Sequence, residues 1–417
     1  MRNKVKDQYE AYPYPARDPA EESNRLVTGS PSRLLEIDHY LFRGQRDWRR
    51  PFRALVAGGG TGDGLVMLTQ QLADAGVPAQ VTYLDLSSAS RAIAQARIAA
   101  RGLAAQVTFV SGSLLDLPQL GLEDFDYIDC CGVLHHLADP SAGLAALAGA
   151  LAPGGGLGIM VYGEYGRAGL YPLQAALRQL GAGLSLAEKI TQAEQLLTEL
   201  PATNGFSRNP FLGDHQRGPA ELVDLLLHPQ DRAYTVPQLQ DWVHGVGLTI
   251  AGFIEPLRYD PRLYLTDPDL RARAAALPLP EQAALAERLA GNMKTHTLYL
   301  SREADSRARF LGGGSVPVLV DWQPAALARS LAKSPVLKGS FDGLSVELPL
   351  PPEAPALLLQ VDGQRSFEQI YQTARRHNPN IRRQAFLAVA ERLVEILGGI
   401  NRLLLRNPGP PDLRAGA

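Results

Sequence analysis

The residues best placed to do chemistry start with a glycine loop. In Ala54-Leu-Val-Ala-Gly-Gly-Gly-Thr-Gly-Asp-Gly64 a short apolar run turns abruptly into glycine, and an amphipathic segment follows from Leu65 to Ala75. That order predicts strand, tight loop, helix. Glycine reaches backbone angles closed to other residues and lets a ligand come close to the main chain. Gly58, Gly59, Gly60, Thr61 and Gly62, with Asp63 just after them, therefore read as the floor of a nucleotide-like pocket at the carboxyl end of a first strand. Asp85, with Leu86 beside it, ends the second predicted strand, Gln80 to Leu84. A carboxylate is an acceptor-only group and can take both hydroxyls of a ribose at that strand end. Alone, it would read as a capping or surface aspartate. After the third strand, Val107 to Val110, Ser113 offers a polar side chain and Leu114 a free backbone N–H to the edge of an adenine. The fourth strand, Tyr127 to Cys131, ends in Cys130-Cys131-Gly132, small enough for a ligand to lie across the sheet edge.

A dinucleotide site needs glycines at i, i+2 and i+5. From Gly58, Gly60 and Gly62 the third position falls on Asp63, Leu65 and Met67, so that fingerprint is absent. His135, His136 and Asp139 have helical spacing suited to a metal, but nothing else in the sequence supports one, and no metal is expected.

Strands alternating with helices predict a parallel, doubly wound α/β sheet. Asp139-Pro140 opens a helix to Leu151 that stops at Pro153-Gly154-Gly155, and a fifth strand follows at Leu157 to Tyr162. Residues 163–247 then read as a mainly helical insert, in which Thr235-Val-Pro-Gln238 is a capping box. Two late strand-like runs, Leu248 to Ile254 and Thr295 to Leu300, can pair antiparallel at one edge. The expected organisation is an N-terminal arm at 1–50, a main domain at 51–302, a linker at 303–314, a small α+β recognition domain at 315–405 and a disordered tail at 406–417.

Bulk properties exclude several classes. A chain of 417 residues is too long for one small domain. A formal net charge of -2 gives no electrostatic case for nucleic acid as a partner. The two cysteines, Cys130 and Cys131, are adjacent, which excludes a disulfide framework and suits the cytoplasm. No apolar core opens the sequence, so no signal peptide is expected. The uncharged stretch Ser141 to Gly163 is broken by Pro153 and its glycines, so no membrane span is expected. Nothing in the sequence sets an oligomeric state.

The series Val56-Ala-Gly58-Gly59-Gly60-Thr61-Gly62, Tyr83-Leu-Asp85-Leu-Ser87, Phe125-Asp126 with Gly132-Val-Leu-His-His-Leu137, and Leu151-Ala-Pro-Gly-Gly155 resembles the class I S-adenosylmethionine-dependent methyltransferases. The resemblance covers roughly residues 50–165. It implies a seven-stranded Rossmann-like sheet with the last pair reversed, S-adenosylmethionine as cofactor, its methionine end on the Gly58–Gly62 loop and its ribose on Asp85. Two departures stand out. Many members carry an acid where Val56 stands, which helps to hold the cofactor's amino group, and Asp or Glu where Ser113 stands. Asp63 is the expected substitute for the first. The arm Tyr9 to Pro15 and the segment Tyr162 to Tyr171 resemble bacterial members of uncertain substrate, some of them suspected protein methyltransferases. The stretch Leu357 to Ser366 is similar to small winged-helix-like peptide-recognition domains.

The resemblance implies a methyltransferase, and the size of the insert points to a protein side chain or a bulky small molecule as the otherwise unidentified acceptor; the alternative is a non-catalytic S-adenosylmethionine-binding regulatory or scaffold protein. Candidates for the base are His135, His136, Tyr162 and Tyr165; His135 is the first choice among them, although its reading as a loop histidine that points at solvent or caps backbone carries more weight. Tyr9 and Tyr14 belong either to a lid over the pocket or to an arm packed on the surface. Arg167 could bind an anionic substrate or pair within the insert. His228 and Arg232 could line the acceptor site or simply end a helix.

Overall fold

The computed structural model describes residues 2–407, so the expected disorder of the tail lies almost wholly outside the described residues. Eight strands form one sheet: β1 (Phe52–Ala57), β2 (Ala79–Asp85), β3 (Val107–Ser111), β4 (Phe125–Cys131), β5 (Leu151–Gly163), β6 (Ala233–Tyr234), β7 (Thr249–Phe253) and β8 (Thr295–Ser301). Their order is β3-β2-β1-β4-β5-β8-β7, with the short β6 added to β5. From β3 through β5 the pairing is parallel. β8 runs antiparallel to β5 and stands between it and β7, which is the reversal expected of the last pair. Ala54, Leu55, Val56 and Ala57 of β1 are all buried, as a central strand covered by helices on both faces requires.

Local chemistry sets the helix ends. Ser87 caps the helix Ser88–Ala100, and Asp139 caps Pro140–Gly149 through a 2.9 Å bond from the Ala142 N–H. Thr235 and Gln238 form the expected capping box. One local expectation needs correcting. Pro153-Gly154-Gly155 does not separate helix from strand, because β5 already begins at Leu151. The register to β4 jumps from Phe125↔Leu151 to Tyr127↔Gly156, so the proline and glycines form a bulge within the strand.

The described chain divides into two compact units. The first comprises residues 1–33, 48–249 and 291–302, and the second 34–47, 250–290 and 303–417. Within the first, the insert has its own core around Leu170, Leu173, Leu177, Phe206 and Leu226. The second packs Phe367, Ile370, Leu393 and Leu397 at its centre. It also contains a hairpin, Val336–Phe341 with Leu344–Pro349, and an antiparallel pair, Val316–Leu319 with Leu403–Arg406. Residues 34–47 and 250–290 were expected outside this unit. Side-chain bonding explains why they are in it: the Asn401 amide donates to Glu36 at 2.7 Å and accepts from the Tyr40 hydroxyl at 3.0 Å, and Leu257 and Leu263 pack on the same core.

Candidate active site

The glycine loop, the ends of β1, β2 and β4, the N-terminal arm and the insert enclose one cavity of about 530 Å³. Gly60 shows why its position excludes a side chain. Its φ is +50°, and a Cβ there would lie 2.8 Å from the carbonyl oxygen of Tyr14. The loop is braced from below, where the Tyr83 hydroxyl donates to the Gly60 carbonyl at 2.7 Å. Asp85 closes it from the side, each carboxylate oxygen accepting one backbone N–H at 2.8 Å, from Gly60 and from Ser87. Burial raises the Asp85 pKa, against the lowering effect of those N–H bonds.

The N-terminal segment is bonded onto this loop. Glu10 accepts from the N–H groups of Ser88 and Ala89 at 2.7 and 3.0 Å, Thr61 donates its hydroxyl to the Pro15 carbonyl at 2.7 Å, and Ser87 donates to the Tyr9 carbonyl at 3.1 Å. Tyr9 and Tyr14 both line the cavity. Asp63 also lines it, but Arg17 holds its carboxylate at 2.6 Å and Arg97 at 2.7 Å. Arg97 is itself only 1% exposed and binds Glu22 at 2.6 Å and the Thr61 carbonyl at 2.9 Å. A carboxylate between two guanidiniums is a poor grip for a ligand's ammonium, so the expected substitute for the missing acid is already engaged.

Gly58, Gly59, Leu86, Ser113, Leu114 and Cys131 line the cavity as expected, with Gly60 and Asp85. Thr61 and Gly62 stand behind the lining; Thr61 is buried and bound to the arm. Ser113 caps the turn Leu114–Asp116 by accepting the Leu115 N–H at 3.2 Å, which leaves its hydroxyl proton to donate.

At the insert end, Asp224 accepts hydrogen bonds from Tyr9 and Tyr162, both at 3.2 Å, and burial raises its pKa. Arg167 lies 3.5 Å from the centre of the Tyr162 ring and pairs with Asp231 at 3.3 Å, and it also lines the cavity. The preference for His135 does not survive. The turn Leu134–His136 directs His135 into the interior, fully buried, with its ring 3.9 Å from that of Tyr162 and neither nitrogen hydrogen-bonded. His136 lines the cavity instead. Its Nδ1 faces the Gln230 carbonyl at 2.9 Å, which places the proton on Nδ1 and leaves Nε2 unprotonated. Burial lowers its pKa to about 4, so it is neutral at pH 7. Tyr165 stands outside the lining, and Arg232 lies 5.0 Å over the Tyr234 ring rather than in the cavity. His228 is behind the wall, its Nδ1 accepting the Gln230 N–H at 3.1 Å and its Nε2 3.3 Å from the Tyr9 hydroxyl.

His136, Asp224 and His228 bring possible metal-ligand atoms within 4.8 Å of one another. Asp139, considered above with the histidines, caps a helix instead. The Gln230 N–H on His228 Nδ1 puts that ring's proton on Nε2, the atom facing Tyr9, so the cluster is bonded as a hydrogen-bond network rather than as a ligand set.

The sequence reading missed Asp129. It lies inside β4, 3% exposed, and lines the cavity. Its Oδ1 accepts the Cys131 N–H at 3.1 Å and its Oδ2 the Ser32 hydroxyl. A charge in the interior of the strand, between Ile128 and Cys130, was the available signal, since buried charges need a reason. Burial lifts its pKa from 3.8 to about 6. The folded protein thus keeps this proton where the unfolded chain releases it, so ionisation opposes folding as pH rises from about 4 to about 6, with the full penalty present above that. Asp129→Asn is therefore expected to raise the melting temperature of the ligand-free protein at pH 7.5, by up to about 3 kcal/mol of stability, and to give no gain near pH 4. Calorimetric scans of both proteins at the two pH values check this.

A family model described as a methyltransferase domain matches residues 55–157. An uncharacterized protein of Synechococcus sp. (strain ATCC 27144 / PCC 6301 / SAUG 1402/1), syc1184_c, is 35% identical over 302 residues, 70% of each chain. Among solved structures, PKMT2 from Rickettsia typhi is similar in fold, with a TM-score of 0.58 at 18% identity, covering 90% of this chain and 75% of that one. The same protein in complex with AdoHcy gives a TM-score of 0.56 at 17% identity, with the same coverage. The sheet order and the glycine loop after β1 are those of a Rossmann-like methyltransferase fold, without the dinucleotide pattern. The chain belongs to the class I S-adenosylmethionine-dependent methyltransferases, and its cofactor is S-adenosylmethionine. The lining fits that molecule: glycine backbone at Gly58–Gly60, a carboxylate with lone pairs left at Asp85, and apolar side chains of Leu86 and Leu114 to flank a base.

Proposed function

We propose that this protein transfers the methyl group of S-adenosylmethionine to an amine on a protein or other bulky molecule. The observation that carries this reading is the continuity of the cavity. A single space runs from Gly58–Gly60 and Asp85 to a wall containing Tyr162, His136, Asp214, Glu221 and Asp224. In this reading Asp85 takes the ribose hydroxyls, Ser113 and Leu114 meet the adenine edge, and the insert wall receives the acceptor.

The bound cofactor supplies an electrophilic methyl on a sulfonium whose leaving group is neutral, so the protein's task is chiefly alignment. Asp214, Glu221 and Asp224 offer anionic partners to a cationic acceptor, in a cavity that Arg167 and Lys294 also line. Tyr9 and Tyr162 hold Asp224 in place by donating to it, and their ring faces exclude water on that side. His136, neutral and with its Nδ1 proton fixed on Gln230, presents Nε2 as a hydrogen-bond acceptor that can orient a nucleophilic amine. The tyrosine arm covers the pocket as a lid, and a helical insert of this size suits an acceptor larger than a free metabolite. Two adjacent, unpaired cysteines suit the cytoplasm. Among the described residues no helix is long and apolar enough to cross a membrane.

Incubating the purified chain with a cell lysate and methyl-labelled S-adenosylmethionine tests the reading. Label should appear on one or a few bands, disappear with Asp85→Ala, and resist base treatment that hydrolyses methyl esters. Cofactor binding without transfer to any lysate component would favour the non-catalytic alternative, and base-labile label would move the acceptor from amine to carboxylate.

A further inference from the structure

An adenosyl amino acid brings an ammonium as well as a carboxylate to the glycine loop, and a buried ammonium needs an anionic partner. The lining offers a short choice. Asp63 is already held by Arg17 and Arg97. Asp85 stands at the end of β2, and Asp214, Glu221 and Asp224 belong to the insert wall. Asp129 remains.

Its position in the sheet is specific. Val56 at the end of β1 and Asp129 on β4 are register partners on adjacent parallel strands, so their side chains project side by side from the same face. Both line the cavity, Val56 with a hydrocarbon and Asp129 with a carboxylate. Next to them the helix Asp63–Asp74 begins, and Gly64 in its first turn makes room: a Cβ at Gly64 would lie 3.0 Å from Asp129 Oδ2. The Ser32 hydroxyl and the Cys131 N–H each take one lone pair, one on each oxygen, which fixes the carboxylate and leaves a second lone pair on each. Ser32 is itself positioned, its N–H donating to the Tyr299 hydroxyl at 3.1 Å. A carboxylate this deeply buried, held on both oxygens and facing the cavity among apolar strand residues, is placed to receive a cationic group that enters there.

We infer that Asp129 is the partner of the cofactor's α-ammonium group, supplied from β4 beside the position where β1 has Val56. This rests on the cofactor reading of the cavity. It makes Asp129 a binding residue for the amino-acid end, with no part in the methyl transfer itself.

The test is a cycle of calorimetric titrations on the full chain, wild type and Asp129→Asn, each with S-adenosylhomocysteine and with its deamino analogue, which lacks only the amine. The wild type should bind the deamino compound about 10- to 100-fold more weakly, the range of a hydrogen bond to a charged group. Asp129→Asn should lose the same factor for S-adenosylhomocysteine and lose nothing further for the deamino compound. Equal affinity of both proteins for S-adenosylhomocysteine overturns the inference, as does an equal loss for both ligands, which would mark Asp129 as purely structural. If Asp129→Asn does not fold, Asp129→Ser, smaller and still polar, takes its place with the same expectations. Absence of binding by the folded wild type to either compound removes the cofactor reading itself and this inference with it. Binding by the wild type with an unaltered variant removes this inference alone.

Discussion

Asp85→Ala is expected to weaken the binding of S-adenosylhomocysteine by a few kcal/mol, about 100-fold, as measured by titration calorimetry. Two losses combine. In the proposed reading the carboxylate takes the ribose hydroxyls, and a pair of charge-assisted hydrogen bonds is lost with it. The same two oxygens also anchor the backbone, since Gly60 and Ser87 donate to them at 2.8 Å. Removing them frees the glycine loop at Gly60 and leaves two N–H groups for water to satisfy. The loop must then be ordered by the ligand, which lowers affinity further. Because Asp85 is buried with a raised pKa in the free protein, its loss should cost little global stability. The melting temperature of Asp85→Ala should therefore stay close to wild type while affinity falls. An unchanged affinity would refute the ribose assignment.

Arg97→Met should behave in the opposite way, as a stability variant. Arg97 is 1% exposed and ties together three partners, Glu22, Asp63 and the Thr61 carbonyl. Glu22 is buried too, its side chain 4% exposed. Removing one member of a buried ion pair typically costs about 3–5 kcal/mol, because the other charge is left in a low-dielectric site. Here Arg101 still reaches Glu22 at 2.5 Å and Arg17 still holds Asp63, so the expected loss lies near the lower end, about 3 kcal/mol by urea denaturation. Met conserves much of the volume, which keeps a cavity from adding to the effect. The exposed pair Lys338–Glu347, with side chains 72% and 65% exposed, is the internal control: Lys338→Ala should change stability by less than about 1 kcal/mol. The arm and the cofactor loop share this network, so Arg97→Met should also weaken ligand binding, whereas Lys338→Ala should not.

How much of this was legible in the sequence depended on how local the signal was. The glycine loop, Asp85, the capping residues Thr235 and Asp139, and the alternation of strands and helices are written in neighbouring residues, and the structure has them where expected. The choice between His135 and His136 was not legible, because one tight turn decides which ring faces the cavity and both sit at similar spacing from the strand end. Pro153-Gly154-Gly155 is an ordinary stop signal that the long pairing of β5 with β4 and β8 converts into a bulge. The membership of 34–47 in the second unit rests on contacts such as Tyr40 with Asn401, far apart in sequence, which no local pattern announces. The missing acid at Val56 was visible. Its neighbour Asp129 was visible as a letter too, but only the register of β1 against β4 sets the two side by side.

The most direct test of the central claim is a calorimetric titration of the folded full-length chain with S-adenosylhomocysteine. The account predicts saturable binding of one molecule per chain, abolished or strongly reduced in Asp85→Ala. A folded sample that gives no heat of binding, or binding that Asp85→Ala leaves intact, would contradict it.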